Sequence, residues 1–138
     1  MPARDFYHNH VKQALIKDGW MITHDPLTLE WTNTSVQLDL GAERLLAAEK
    51  GTRKIAVEVK SFLSASALTD LYGALGQFIL YRKALGKTEP ERRLFLAIHQ
   101  PAYLNLFTHP DSADLRAEEG INLLVFDPDT QEILQWIE

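Results

Sequence analysis

The stretch Lys54-Ile55-Ala56-Val57-Glu58-Val59-Lys60-Ser61-Phe62 decides the fold. β-Branched residues dominate it, and a strand sends successive side chains to opposite faces. Ile55, Val57 and Val59 therefore share one face, and Ala56, Glu58 and Lys60 share the other. A carboxylate and an ammonium stand side by side in an otherwise apolar strand, where burial is costly unless the charges are paired or metal-bound. The carboxylate suits a hard cation such as Mg²⁺, which is typically held by one or two carboxylates plus waters. The ammonium can orient a water or stabilise charge on a phosphate. Taken alone, Glu-x-Lys is more often an ordinary charge pair on a solvated face. Its apolar strand and its position after a hairpin give it weight.

Upstream, residues 44–50 read as a strand joined to residues 53–62 through the turn Lys50-Gly51-Thr52. A metal site needs a second carboxylate. Asp39, following Val36-Gln37-Leu38 where the chain enters the hairpin, leads; Glu43 and Glu49 are the rivals, with Glu49 expected to face solvent near the turn. The stretch 27–42 mixes β-prone residues with turn formers. Before it, residues 3–18 read as a helix ended by Gly19, and Trp20-Met21-Ile22-Thr23 as a short strand closed by Asp25-Pro26. His8 and His10, two apart, diverge on a helix, so a two-histidine metal site is not expected there. His8 or Asp5 remains a candidate to reach the site from this helix.

Downstream, Ser64-Ala65-Ser66 predicts a cap for a long helix running to about Gly86. Leu68, Leu71, Tyr72, Leu75, Phe78 and Ile79 suggest its apolar stripe. Gln77 and Tyr81 lie four residues apart and share a helix face, a spacing common by chance. It gains interest from following Glu-x-Lys by one helix. Residues 93–99 form a continuous apolar run, as expected of a strand covered on both faces. Short helices at Pro101 and at 112–119, a strand at 121–126, the turn Asp127-Pro128-Asp129-Thr130 and a last strand at 132–137 complete the pattern. His24, His99 and His109 read as structural. The fold class is α/β, a mixed central sheet flanked by helices in a single domain over residues 1–138.

Composition narrows the function. With 138 residues, 46% hydrophobic and 24% charged, the chain has an ordinary globular make-up, and the absence of cysteine excludes disulfides and thiolate metal sites. No apolar run approaches the roughly 20 residues of a membrane helix, and the polar residues after Met1 do not resemble a signal peptide, so the expected location is cytoplasmic. The net charge of −5 counts against broad, non-specific DNA binding, though not against a local basic patch. No phosphate-binding loop, dinucleotide fingerprint or Gly-x-Ser-x-Gly is present.

Together, the acid before a hairpin, Glu58-x-Lys60 on the next strand and Gln77-x-x-x-Tyr81 on the following helix resemble the PD-(D/E)xK nuclease superfamily. Leu38 stands where the motif's name has proline. More closely, the chain resembles the XisH family, the fdxN element excision controlling factors of cyanobacteria, over essentially its full length. Residues 38–51, 54–62 and 72–77, with Asp127, carry that likeness. The resemblance implies a restriction endonuclease-like fold and a role in programmed DNA excision, with DNA, a site-specific recombinase and an XisI-like companion as partners. It also implies site roles: Asp39 and Glu58 holding Mg²⁺, Lys60 assisting the attacking water, and Gln77 with Tyr81 supporting the site. Two functions remain open, a metal-dependent endonuclease and a non-catalytic accessory protein that regulates a recombinase. A homodimer through the long helix or the C-terminal strands near Trp136 is a further candidate.

Overall fold

The structure, a computed structural model, describes residues 6–29, 31 and 45–138. Six strands form one sheet in the spatial order β1-β2-β3-β4-β5-β6. They are β1 (Met21–Leu27), β2 (Leu45–Lys50), β3 (Arg53–Val59), β4 (Arg93–His99), β5 (Leu123–Asp127) and β6 (Glu132–Ile137). The hairpin β2–β3 is antiparallel with Lys50 opposite Arg53. Gly51 takes φ 61°, the left-handed conformation such a tight turn asks of its glycine. β3, β4 and β5 are mutually parallel, and β6 returns antiparallel to β5.

Helices cover both faces. α1 (His8–Lys17) buries Val11, Ala14 and Leu15, and packs with Ile55, Val57, Val59, Phe95 and Phe126. On the other face, α2 (Ala67–Thr88) and α3 (Gln100–Leu106) cover Ala56, Leu94, Leu96 and Ile98. α4 (Pro110–Glu119) buries no residue and ends at Gly120, at φ 66°. No helix of the described residues is long and apolar enough to cross a membrane.

Two expectations need correction. β1 continues through Asp25-Pro26 to Leu27. A proline is tolerated there because β1 is an edge strand, and its register with β2 shifts at His24 and again before Leu27. The buried stripe of α2 is also rotated from the one expected. Leu71, Ala74, Phe78, Tyr81, Ala84 and Leu85 face inward, while Leu68, Tyr72 and Ile79 are exposed. A helix rich in apolar residues on several sides does not reveal which stripe the sheet takes. Trp136 packs within the chain, 5.0 Å from Phe95 and 5.7 Å from Trp20 between ring centroids.

Candidate functional site

The two faces of β3 meet different surroundings, as the alternation predicts. Ile55, Val57 and Val59 face α1, and Ala56 faces α2. Glu58 follows Ala56 onto the α2 side and is 0% exposed, an unusual place for a carboxylate. Lys60, just past the strand end, is half-buried. Its Nζ lies 3.9 Å from where a Cβ on Gly73 would stand, so the absent side chain lets the ammonium lie against α2.

That contact sets the level of the helix against the strand. From Lys60 back to Glu58 is about 6.6 Å along β3. α2 returns in the opposite sense, and at about 1.5 Å per residue one turn from Gly73 reaches Gln77 at roughly Glu58's level. The Gln77 side-chain oxygen is buried without a hydrogen-bond partner among the described residues. One turn further, Tyr81 is 1% exposed within the core. Gln77 thus lies near the level of Glu58, and Tyr81 a turn beyond it in the core on the same side of the sheet.

The other expected residues divide. Glu49 pairs with Lys54 while Glu58 pairs with Leu45, a separation of four residues, or about 13 Å along the strands. Glu49 lies at the opposite end of the hairpin, 4.0 Å from Arg92, and does not share an ion with Glu58. Asp39, Glu43 and Asp5 lie outside the described residues. His8 is nearly buried and meets Asp25 at 2.8 Å, and Lys12 donates to the same carboxylate at 2.9 Å. Burial works against ionising Asp25. The Lys12 hydrogen bond, with the charge and hydrogen bond of His8, outweighs it and holds the carboxyl below its usual value. His8 is therefore engaged with β1 in an ion-pair cluster. Among the described residues, no three His, Asp or Glu side chains gather as a ready-made metal cluster.

A cavity of about 400 Å³ opens beside the site, at the carboxyl ends of β3 and β4, where open α/β sheets commonly bind ligands. Tyr7, Phe62, His99, Ala102, Asn105 and Leu106 are among its lining residues. Phe62, two residues after Lys60, has φ 55°, which costs a bulky residue on the order of 1–3 kcal/mol and is held only where surrounding packing enforces it. Its ring is buried at 8% exposure. His99 caps α3: its Nδ1 accepts a hydrogen bond from Ala102 N–H at 3.0 Å. With Nδ1 accepting, the neutral ring carries its proton on Nε2. The helix-start signal of Pro101 was readable in sequence, but the cavity it helps to wall was not.

This arrangement can be set beside known proteins. A family profile described as XisH protein matches residues 1–134. The chain belongs to the XisH family. A crystal structure of an XisH family protein from Nostoc punctiforme PCC 73102 is 44% identical to this XisH-family chain and superposes with a TM-score of 0.88, covering 97% of this chain and 100% of that one. A crystal structure of an fdxN element excision controlling factor protein from Anabaena variabilis is 45% identical, with a TM-score of 0.86 over 96% of this chain and 98% of that one. No curated protein sequence matches significantly.

Proposed function

We propose that this XisH-family chain acts in controlled excision of a DNA element as a Mg²⁺-dependent phosphodiester hydrolase with a restriction endonuclease-like fold. One observation carries the reading: the wholly buried Glu58 shares its strand face with Lys60 beneath α2. An ordinary surface charge pair would not be sited there. The similarity to the Anabaena variabilis excision controlling factor supports the biological setting.

The donors present fit a hard cation. Glu58 supplies a carboxylate, the buried amide oxygen of Gln77 lacks a partner among the described residues, and such ions need few protein ligands. Glu58 would hold the ion, with Asp39 the proposed second carboxylate. When bound, the ion polarises the phosphoryl group and acidifies water. Lys60 would stabilise the negative charge that develops on the phosphate, and Tyr81, one turn beyond Gln77 on α2, would support that wall of the site.

The net charge of −5 favours a second reading, in which the chain regulates a recombinase without cutting DNA itself. The two are separated by incubating supercoiled and branched DNA in Mg²⁺ or Mn²⁺ with the wild type, Glu58→Gln and Lys60→Met, each with and without a basic companion protein. Cutting that both variants lose supports the hydrolase. No cutting under any condition, with excision still supported by the variants, leaves the regulatory reading.

A further inference from the structure

The cavity beside Lys60 has the dimensions and chemistry of a nucleotide-base site. Its wall carries aromatic rings from Phe62 and Tyr7, so a flat heterocycle finds a stacking surface. Its polar lining side chains are few, chiefly His99 and the exposed Asn105 amide. Asn105 both donates and accepts hydrogen bonds, as a base edge does. At about 400 Å³ the space exceeds a single base and excludes a duplex, which would have to present that base unstacked.

Position adds the second part. Ala67, the first residue of α2, lines the cavity, and Lys60 Nζ lies beside Gly73. Six residues of helix span about 9 Å, a distance within reach of the phosphate attached to a base seated in the cavity. Phe62 is tied to Lys60 by one intervening residue; its ring belongs to the core, at 8% exposure, and the residue lines the cavity where the chain leaves β3.

We propose that this cavity receives one unpaired DNA base, stacked on Phe62 and read at its edge by His99 and Asn105, while the adjoining phosphate lies toward Lys60. The proposal rests on the DNA-cleaving reading and names its substrate class: DNA with a bulged, branched or single-stranded nucleotide. Base unstacking then selects the cleavage position, because fully paired DNA cannot fill the cavity without first extruding a base.

The test uses the full chain and short oligonucleotides bearing 2-aminopurine, either at a single-nucleotide bulge or within a fully paired duplex of equal length. Binding is read in Ca²⁺, and cleavage is followed separately in Mg²⁺. The bulged probe is expected to bind at least about 10-fold more tightly, with a change in 2-aminopurine fluorescence. Asn105→Ala, at an exposed position, should remove most of that preference. Phe62→Gly should remove it as well; glycine accepts the backbone conformation there, and circular dichroism checks that the variant is folded. Lys60→Met should weaken both probes alike. Equal binding of the two probes, or a preference unaffected by Asn105→Ala and Phe62→Gly, overturns the base site. Cleavage without base preference sinks this proposal and leaves the hydrolase standing. Base preference without cleavage of these oligonucleotides supports the site and leaves the hydrolase reading to be decided by the assay with the companion protein. No binding by either probe overturns the base site, whatever cleavage shows.

Discussion

The two ends of the parallel strands are built on opposite plans. At the amino end, Arg92 is almost wholly buried, yet it donates to the Ile55 carbonyl at 3.0 Å and to Glu89 through Nε at 3.1 Å and Nη2 at 3.0 Å. Arg82 donates to the carbonyls of Glu119 and Gly120, Arg116 to that of Ile121, and Asn122 to that of Leu94. Long polar side chains there satisfy the backbone where strands begin. A cleft of about 510 Å³ opens at this end, but its arginines are already engaged in these contacts or, for Arg93, with Glu138 at 3.3 Å. At the carboxyl end stand the buried Glu58, the buried amide oxygen of Gln77, the left-handed Phe62 and an open cavity. One pole spends its polar groups on holding the fold, and the other keeps polar and strained groups beside a cavity, as binding sites do.

The comparison breaks most directly at its buried charges. Glu58→Gln is expected to reduce Mg²⁺-dependent cleavage by on the order of 10³-fold, the scale of losing a metal-held charge stabiliser, a far larger effect than any on thermal stability. Parallel cleavage rates and melting curves check this. A steep stability loss without a metal effect would make Glu58 the counterpart of Arg92. Arg92→Met should do the reverse, lowering stability in urea by about 1–3 kcal/mol because the buried Ile55 carbonyl loses its donor, whereas the part-exposed Glu89 is solvated. Cleavage per folded molecule should remain unchanged.

A smaller effect sharpens the account of the amino end. Gly120→Ala forces a β-carbon into the left-handed region and brings it 3.3 Å from Arg82 Nη1, so a loss of about 1–2 kcal/mol is expected. Gly120→Asn should lose less, since asparagine tolerates that conformation better.

The smallest effect lies with Asp25. Its folded carboxyl titrates below its ordinary value of 3.8, so its stabilising contribution is complete above that value. The contribution fades as pH falls towards 3.8 and below it, through the folded pKa. Wild-type stability should therefore drop more steeply over that interval than that of Asp25→Asn, as measured by urea denaturation at a series of pH values. Identical slopes would remove Asp25 from the acid response.

Much of this architecture was legible locally. The alternation in residues 53–59, the Gly51 turn and the unbroken apolar run of 93–99 predict strands because each is decided by side-chain period and turn chemistry within a few residues. The continuation of β1 through Pro26 was not legible, because whether a proline is tolerated depends on whether the strand lies at a sheet edge. Nor was the role of Arg92, whose carbonyl partner Ile55 stands 37 positions away.

Glu58 and Lys60 mark the division. The sequence by itself determined that the two share a face, because a two-residue strand period allows nothing else. The tertiary structure decided which helix covers that face and that Glu58 is completely buried. It also decided that the chain turns at Phe62 to wall a cavity. Those outcomes depend on register and on packing between segments distant in the chain, which no local pattern encodes.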